Sequence, residues 1–471
     1  MMNMKTYSIS IVLVFFSVCC NAQTITQKIE KVVKLLQQDT QMKHAIMSLY
    51  VVETKTGKPV YALNEQVGLA PASTQKLFTS VAAFELLGKD FRYKTEVGYD
   101  SIIENGALKG NLYITGYGDP TLGSWRYAQT KRDSVLNKIL IALNKAGIKK
   151  IDGDVIMDDS KFSYQPLPGG WIWDDIGNYY GAGTWAINWN ENQYDLLLKP
   201  GNKAGDDVTI IGTQPLLADI SMSNLLKSGK PGSGDNGYIY MAPYSTEGFV
   251  SGSVPAGEKS FTLSGALSYP ALQFGKELLS FLTTQKINTT SHVKTSHDFA
   301  INNMTVYAKQ LTTLYSPALD SITYWFLQKS INLYGEALIK TMAYQNNSIA
   351  STDKGVELLK DFWSKNGIEK SALNIVDGSG LSPQNRVTTK ALVTALQYAK
   401  DKNWYSSFYN ALPMYNGMHM KSGTIGGAKA YAGYHTSKSG VGYTFAIMIN
   451  NFDEAGGNIV PKMYKVLDEL K

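Results

Sequence analysis

The chain has 471 residues, which is enough for two or three domains, and its content of 44% hydrophobic and 18% charged residues is that of a globular protein with a large core. The net charge of +6 is spread thinly along the sequence, without a run of five or more like charges. This distribution argues against a nucleic-acid partner and is compatible with an acidic polymer. No segment after the N-terminal region is long and apolar enough to predict a membrane-spanning helix.

The first 22 residues predict a secretory signal peptide. Lys5 precedes an apolar stretch over residues 9–18, and Cys20-Asn21-Ala22 has the small residues of a cleavage site. Cleavage after Ala22 removes both cysteines of the chain, so the mature protein is expected to have neither disulfides nor a reactive thiol. A lipoprotein acylated on Cys19 or Cys20 is the alternative, although the residues before the two cysteines fit a lipid-attachment signal poorly.

The segment up to residue 90 predicts a helix, a β-hairpin and a second helix. The first helical pattern lies within 24–48, the strands over 45–52 and 59–63, and the second helix over 73–87. Pro71 favours the start of the second helix and Gly88 favours its end.

Residues 91–299 have a different texture, in which Gly, Asn, Asp, Ser and Pro separate short alternating strands such as 107–115 and 259–263. Asn105-Gly106 predicts a hairpin turn, and one helix is predicted over 132–146. We interpret this region as a mainly β insert, with a smaller subdomain nested in it.

The region after residue 305 predicts several helices followed by a sheet. The helices are expected over 316–332, 334–345, 355–366 and 388–402, the strands over 418–422, 430–435 and 442–450, and a final helix over 458–470. The three strands are expected to be neighbours in one antiparallel sheet.

Ser73-Thr74-Gln75-Lys76 is the first candidate for chemistry. A spacing of three on a helix places the hydroxyl and the amine on one face. A half-buried lysine can lose its proton and act as the base that a serine nucleophile requires. The pattern is weak by itself, since Ser291–Lys294 and Ser351–Lys354 also match it, and an exposed amphipathic helix is the alternative.

Ser330-Ile331-Asn332, at the end of a predicted helix, is the second candidate. The hydroxyl of Ser330 could relay a proton between Lys76 and a leaving amine, and Asn332 could bind a substrate amide. The alternative is a set of polar helix caps, which is how we interpret Ser364-Lys365-Asn366-Gly367.

Lys421-Ser422-Gly423-Thr424 is the third candidate. Its cation and hydroxyl could hold a substrate carboxylate, its glycine would let a substrate backbone approach, and the N–H groups of Thr424 and Ser73 could form an oxyanion hole. Three similar triplets begin at Lys55, Lys227 and Lys438. The first and last are expected in hairpin turns and the middle one in a Gly/Pro loop, so that only residues 421–424 continue a strand.

The three motifs occur in the order and context that characterise penicillin-binding proteins and serine β-lactamases. The whole mature chain resembles the D-Ala-D-Ala carboxypeptidase/endopeptidase family, the class C low-molecular-mass penicillin-binding proteins, in which a large insert separates the first two motifs. Three further segments carry this resemblance: Gly118-Asp119-Pro120-Thr121-Leu122, Gly170-Trp171-Ile172-Trp173-Asp174-Asp175 and Asp377-Gly378-Ser379-Gly380-Leu381-Ser382.

The resemblance implies roles for individual residues. Ser73 would be the nucleophile, Lys76 the base, Ser330 the proton relay and Lys421 the anchor of the substrate carboxylate. An acidic residue of the Trp-rich segment would approach the free amine of the peptide's diamino acid. We expect this residue to be Asp174, with Asp175 as the second choice and with Trp171 and Tyr179 as its neighbours; a buried aromatic cluster with capping aspartates is the alternative.

The chain departs from the family pattern before the third motif. The family has a Gly-rich segment with an arginine there, whereas residues 412–420 are shorter and lack it, which puts substrate preference in doubt. The motif also has Ser422 where threonine is commoner, which retains a hydroxyl.

Two other features are expected to be non-catalytic. The turn over residues 377–382 is interpreted as a scaffold loop near the cleft. The five histidines show no metal-ligand spacing, and they are His44, His292, His297, His419 and His435. A Ser–His arrangement that uses His419 stays open as an alternative.

The sequence and the resemblance together predict an α/β (α+β) fold of the transpeptidase/β-lactamase type, with an antiparallel sheet flanked by helices. Residues 23–90 and 300–471 would form the catalytic domain and residues 91–299 the insert. The expected protein is a serine D-Ala-D-Ala carboxypeptidase/DD-endopeptidase.

Such an enzyme acts on peptidoglycan peptides, is inhibited covalently by β-lactams, and needs no cofactor or metal. We expect export to the periplasm, in soluble or membrane-attached form and as a monomer or homodimer. A serine β-lactamase and a catalytically inactive wall-binding protein are the alternatives.

Overall fold

The computed structural model of the protein describes residues 23–217, 219–289, 291–296, 298 and 309–471. The predicted signal peptide, with both cysteines, and His297 lie outside the described residues. Within the described part of the chain, none of the helices combines the length and the apolar character needed to cross a membrane.

Eleven α-helices, several short 3₁₀ turns and 23 strands make up the described part of the structure. The helices are α1 Ile25–Gln37, α2 Lys76–Leu86, α3 Arg132–Lys145, α4 Trp173–Ile176, α5 Pro270–Thr284, α6 Leu319–Gln328, α7 Asn332–Gln345, α8 Thr352–Lys365, α9 Thr389–Ala399, α10 Tyr405–Ala411 and α11 Val460–Asp468.

The strands are β1 Ile46–Glu53, β2 Pro59–Leu63, β3 Lys94–Tyr99, β4 Ile103–Glu104, β5 Ala107–Leu108, β6 Leu112–Gly116, β7 Lys150–Ile151, β8 Val155–Asp158, β9 Gln193–Lys199, β10 Thr209–Gln214, β11 Ser221–Gly229, β12 Asn236–Tyr240, β13 Glu247–Pro255, β14 Phe261–Ala266, β15 Asn288–Thr289, β16 Val293–Thr295, β17 Lys309–Tyr315, β18 Leu373–Asn374, β19 Arg386–Val387, β20 Met414–Tyr415, β21 Met418–Ile425, β22 Ala428–Thr436 and β23 Gly442–Asn450.

A six-stranded antiparallel sheet joins the two ends of the chain. Its order is β2-β1-β23-β22-β21-β20, so an N-terminal hairpin pairs with the C-terminal strands. Helices α1 and α11 cover one face, and helices α2 and α6 to α10 build a larger core on the other. Because both faces are covered, β23 is buried from Tyr443 through Ile449 and reads as a continuous apolar run.

Helix α2 lies at the centre of this core. Every residue from Lys76 to Phe84 is buried, and the apolar side chains among them contact helices α6 to α9. A helix that is enclosed on all sides holds its first turn in a fixed position relative to the sheet. The residues just before α2 are therefore placed rigidly at the edge of β21.

The middle of the chain forms two further cores. The first lies between α3, α5 and sheets of order β16-β8-β6-β3-β17 and β15-β7-β5-β4. The second lies between the three-stranded sheets β10-β9-β14 and β11-β13-β12.

The predicted fold class is confirmed, together with several predicted elements. The first hairpin pairs β1 with β2, and the three C-terminal strands are neighbours in one antiparallel sheet. Asn105 and Gly106 connect β4 to β5, and both have the positive φ (50° and 80°) of a tight hairpin turn.

Other predictions were wrong in part. Helix α1 ends at Gln37 instead of extending towards residue 48, and α5 and α10 were not predicted. Helix α5 had a visible signal, because Pro270 stands at its start and Phe274, Leu278 and Leu282 repeat at helical spacing.

The triplet that begins at Lys227 ends strand β11 and does not lie in a loop. Continuation of a strand therefore does not distinguish the motif at Lys421 from its copies.

Candidate active site

Ser73 lies in a short 3₁₀ turn, Ala72–Gln75, which leads directly into α2. Ala72 adopts a left-handed conformation with φ 45°, which is unfavourable for a residue with a side chain and is typical of functional turns. Between Ala70 and Phe84 only Ser73 is partly exposed. The local backbone therefore presents one hydroxyl at the surface of an otherwise buried segment.

Lys76 is completely buried beside Ser73. Its Nζ lies 2.9 Å from Ser73 Oγ, 2.6 Å from Asn332 Oδ1 and 2.7 Å from the carbonyl oxygen of Ser379. Asn332 Nδ2 donates to the Tyr180 carbonyl at 2.8 Å, which orients the amide with its oxygen towards Lys76.

These contacts and burial favour the neutral form of the Lys76 amine. Burial lowers the pKa of Lys76 from 10.5 to about 7, although the negative charges of Asp377 and Glu336 oppose this shift. A neutral amine has two N–H groups and one lone pair, and the oxygens of Asn332 and Ser379 can only accept. When the amine is neutral, both N–H groups are used by these two acceptors and the lone pair faces the hydroxyl of Ser73.

Ser330 lies between α6 and α7, and not at the end of a helix as predicted. Its φ of 57° is left-handed, and its side chain lines the same cleft as Ser73 and Asn332. The turn thus brings the second motif to the first, as expected.

Strand β21 brings the third motif to the same place. A Cβ at Gly423 would lie 2.4 Å from the Pro71 carbonyl oxygen and 3.0 Å from the backbone nitrogen of Ser73, so only glycine fits there. Lys421 is 1% exposed and its Nζ donates to the Ser422 carbonyl at 2.8 Å. Burial and the positive charge of Lys76 lower the pKa of Lys421.

Burial separates this motif from its three copies, because Lys55, Lys227 and Lys438 are all exposed whereas Lys421 is enclosed. Burial also separates Lys76 from Lys354, the lysine of a similar motif elsewhere in the chain. Ser351 caps the start of α8, and the side chain of Lys354 is exposed and pairs with Glu357.

The three motifs surround a cleft of about 390 Å³. Its lining residues come from five distant parts of the chain, and they are Ser73, Ile172, Asp175, Tyr180, Ser330, Asn332, Gly380, Leu381, Pro383, Thr424, Ile425 and Gly426.

The acidic residue at the cleft is Asp175 and not Asp174. Asp175 is half-buried and burial raises the pKa of its carboxyl group. Asp174 is exposed outside the cleft and accepts a hydrogen bond from the Tyr240 hydroxyl at 3.0 Å. The two aromatic residues that we expected beside the acidic residue lie in different environments, because Trp171 is buried and Tyr179 is 53% exposed.

Asp377 organises the loop over residues 377–382. Its carboxylate accepts five hydrogen bonds of 2.7 to 3.0 Å, from Gln75 Nε2, Gly380 N, Asn385 Nδ2, Ser382 N and Trp171 Nε1. The loop thereby connects α2 to the Trp-rich segment and presents the Ser379 carbonyl to Lys76. This position agrees with its interpretation as a scaffold.

Helix α7 carries two buried charged residues that the sequence interpretation missed. Glu336 accepts from Gly378 N with both oxygens at 3.1 Å, and burial raises its pKa to about 8. Lys340 Nζ donates to three carbonyl oxygens, those of Gln165 at 3.0 Å, Pro166 at 3.2 Å and Thr184 at 2.9 Å. With Asn332 they form a stripe at intervals of four residues, a helical periodicity that could have been noticed.

The shortened segment before the third motif folds as a tight hairpin. Strand β20 pairs with the start of β21 through Asn416 and Gly417, which both have positive φ. His419 packs against the ring of Tyr409 with a centroid distance of 4.3 Å. The amine hydrogen-bonded to Ser73 belongs to Lys76, which leaves the Ser–His alternative without a contact in its favour.

Known proteins resemble this chain over most of its length. The model of the D-Ala-D-Ala carboxypeptidase 3 (S13) family matches residues 28–470. A D-alanyl-D-alanine carboxypeptidase of Actinomadura sp. (strain R39) is 26% identical over 391 residues, which cover 80% of this chain and 69% of the relative. D-alanyl-D-alanine carboxypeptidase DacB of Haemophilus influenzae is 25% identical over 422 residues, with coverages of 83% and 82%.

The fold is that of a solved relative. The crystal structure of penicillin binding protein 4 (dacB) from Haemophilus influenzae superimposes with a TM-score of 0.78 at 23% identity and covers 93% of this chain and 97% of that chain. A complex of the same protein with a novel beta-lactam superimposes with a TM-score of 0.73 at 22% identity, with coverages of 94% and 97%. The family match over nearly the whole length, together with this fold, shows that the chain belongs to the D-Ala-D-Ala carboxypeptidase 3 (S13) family of peptidases.

Proposed function

We propose that the protein is a serine DD-peptidase that cleaves the D-Ala-D-Ala bond of peptidoglycan stem peptides through an acyl-enzyme on Ser73. The observation that carries this proposal is the set of three contacts around the Lys76 amine, because two of them use its N–H groups and direct its lone pair at the Ser73 hydroxyl. The low pKa of Lys76 makes this base available near neutral pH.

The reaction has two steps. Ser73 Oγ attacks the carbonyl carbon of the penultimate D-Ala while its proton passes to Lys76 Nζ, and the C–N bond then breaks as the leaving amine takes a proton through Ser330. In the second step water attacks the ester and gives a proton to Lys76, and Lys76 passes this proton to Ser73 Oγ as the C–O bond breaks, which restores the free hydroxyl. With a crosslinked diamino acid as the leaving group, the same steps give DD-endopeptidase activity.

The remaining motif residues would bind the substrate. The N–H groups of Ser73 and Thr424 would stabilise the oxyanion. Gly423 lies so close to Ser73 that a Cβ at Gly423 would be 3.0 Å from the Ser73 nitrogen, which supports this arrangement. Lys421 and Ser422 would hold the terminal carboxylate, Gly423 would admit the peptide backbone, and Asn332 would bind an amide of the substrate.

The proposal also includes a domain division, a cellular location and a class of inhibitor. Residues 23–90 and 300–471 would form the catalytic domain and residues 91–299 the insert. We also propose export to the periplasm, where the protein would be soluble or membrane-attached, and covalent inhibition by β-lactams. The crystal structure of the Haemophilus relative in complex with a beta-lactam supports the last point.

A peptide-release assay tests the proposal. The purified protein should release one D-alanine from a synthetic pentapeptide that ends in D-Ala-D-Ala, and a labelled penicillin should form one covalent adduct. Ser73→Ala should abolish both signals because it removes the nucleophile, whereas Ser351→Ala, in the look-alike motif that caps α8, should leave both unchanged. Absence of both signals in the wild-type protein would favour a wall-binding role, and fast turnover of penicillin would favour a β-lactamase.

Substitution of Asp175, with Asp174 as the control, tests how the diamino acid is recognised. Asp175 lines the cleft, so Asp175→Asn should lower kcat/KM about tenfold for a stem peptide with a free side-chain amine and much less for the same peptide after acetylation of that amine. The matched control is Asp174→Asn, which changes an exposed carboxylate of the same short helix. A larger loss in the Asp174 variant would return the role to that residue.

A further inference from the structure

A buried carboxylate, that of Glu191, ties the middle of the chain to the helices on either side of the Ser330 turn. Glu191 is 5% exposed, and its Oε1 accepts three hydrogen bonds. The donors are Ser124 Oγ at 2.6 Å, Arg126 Nε at 2.9 Å and the Tyr334 hydroxyl at 2.7 Å. Because Tyr334 lies in the first turn of α7, one carboxylate oxygen joins this helix to two residues of a distant segment.

The backbone that carries this carboxylate is strained. Asn190, Glu191 and Asn192 have φ values of 54°, 53° and 51°, and three consecutive left-handed residues with side chains are unfavourable. Hydrogen bonds hold this shape, since Asn190 N donates to the Leu122 carbonyl at 2.9 Å and Asn192 Nδ2 donates to the Gly183 carbonyl at 2.8 Å. Such strain persists only where the surrounding structure fixes it, and it is concentrated at functional sites.

The same segment also contacts helix α6. Arg126 Nε donates to both oxygens of Glu191, at 2.9 and 3.1 Å. The guanidinium carbon of Arg126 lies 5.2 Å from the centre of the Trp125 ring and 5.3 Å from the centre of the Trp325 ring, and Trp325 belongs to α6. The middle of the chain is thus attached to α6 before the Ser330 turn and to α7 after it.

The turn between α6 and α7 depends on this support. Ser330 has a left-handed φ of 57° and is only partly buried, so its own packing does little to fix its hydroxyl. Four residues later, Tyr334 is fully buried and is bonded to Glu191. Between them, Asn332 Oδ1 lies 2.6 Å from Lys76 Nζ. A shift of the first turn of α7 would therefore move Ser330 and Asn332 relative to Lys76.

We propose that Glu191 is a positioning residue, which acts through Tyr334 to hold Ser330 where it can pass a proton to the leaving amine. The inference rests on the proposed function, in which Ser330 relays that proton. Displacement of a catalytic group by about 1 Å can lower a rate about a hundredfold. Loss of the Glu191 contact should consequently slow cleavage when the leaving group must be protonated, and spare cleavage when it needs no proton.

Two substrates with different leaving groups test this inference. One is a peptide that ends in D-Ala-D-Ala, and the other is the matching thioester, in which sulfur replaces the nitrogen of the scissile bond. The nitrogen must take a proton as the C–N bond breaks, whereas the C–S bond breaks to give a thiolate that keeps the bonding electron pair. Tyr334→Phe, which removes the hydroxyl bonded to Glu191, should lower kcat/KM about tenfold for the amide and less than about twofold for the thioester. Glu191→Gln should give the same pattern.

A second buried tyrosine supplies the matched control. The Tyr434 hydroxyl donates to the Leu396 carbonyl at 2.6 Å, and Tyr434→Phe should leave the ratio of the two kcat/KM values unchanged. Both substrates report on the same folded fraction of enzyme, so this ratio does not depend on stability. A wild-type ratio in both Tyr334→Phe and Glu191→Gln would overturn the role of Glu191.

The proposed function is checked by the same pair of substrates. Ser330→Ala should lower kcat/KM for the amide far more than for the thioester. An equal loss for both substrates would remove the proton relay from Ser330, and with it the role of Glu191. If the wild-type protein cleaves neither substrate and forms no penicillin adduct, the DD-peptidase proposal itself fails. The failure of the positioning role alone is thus distinguishable from the failure of the function.

Discussion

Replacement of Lys76 by methionine should lower the rate of acylation of Ser73 by about a thousandfold while the protein remains folded. General bases contribute roughly 10² to 10⁴ in rate, and methionine fills a similar space without a lone pair on nitrogen. The Asn332 and Ser379 oxygens would lose a donor, but the apolar contacts of α2 would be retained. The rate of covalent labelling by penicillin measures the effect, and circular dichroism checks the fold.

Lys354→Met is the matched control for Lys76→Met. Lys354 occupies the same position in the look-alike motif at the start of α8, where it is exposed and paired with Glu357. The Lys354→Met variant should be labelled by penicillin at the wild-type rate. Acylation of Lys76→Met at more than about a tenth of the wild-type rate would show that another group acts as the base.

The same base sets the pH dependence of acylation. The reaction needs neutral Lys76, whose pKa is about 7, so the rate should rise with pH through about 7 and level off above about 8. A lysine with the ordinary pKa of 10.5 would give a rate that still rises at pH 9. A rise that continues past pH 9 would therefore contradict the assignment.

Charged neighbours should shift this profile in a known direction. The negative charge of Glu336 raises the pKa of Lys76, and Asp377 acts in the same sense. Glu336→Gln should therefore move the midpoint of the acylation profile to lower pH.

The second large effect is expected for Asp377→Ala, which should lower the melting temperature by about 10 °C or prevent folding. The variant leaves four buried donors without an acceptor, since Gln75 Nε2 keeps the carbonyl oxygen of residue 377, and each orphaned donor costs about 1–3 kcal/mol. Their sum is comparable to the roughly 5–15 kcal/mol that stabilises a folded protein. Thermal unfolding followed by circular dichroism measures this loss.

An exposed aspartate supplies the control for Asp377→Ala. Asp174 accepts one hydrogen bond, from Tyr240, and Asp174→Ala should change the melting temperature by no more than about 2 °C. Asp377→Asn keeps one acceptor oxygen and should fall between the two. Equal melting temperatures for Asp377→Ala and Asp174→Ala would show that the loop around Asp377 does not stabilise the fold.

Local sequence patterns were sufficient for much of the fold and for the position of the proposed catalytic pair. The apolar strands β1, β22 and β23 and the turn at Asn105-Gly106 are signalled by residues that are close together in the sequence. The spacing of three between Ser73 and Lys76 places their side chains together within a single helical turn, wherever that turn lies in the molecule.

Burial was decided by the tertiary structure. Lys421 and Lys227 both stand in strands with the same triplet, yet only Lys421 is enclosed, because β21 lies against the turn before α2. Burial of a lysine depends on the elements packed over it, and residues close in the sequence do not reveal those elements.

The choice between Asp174 and Asp175 was also decided by the tertiary structure. Successive residues of a helix point about 100° apart, and α4 is only four residues long, so its periodicity cannot indicate which carboxylate faces the cleft.

The sequence by itself indicated the family and the residues that we propose to carry the chemistry, because those signals are local in the chain. Only the tertiary structure decided the partners of Lys76 and the contacts of Glu336 and Lys340. Each of these contacts joins segments that lie between 42 and 303 residues apart in the chain, and such packing is set by the whole core.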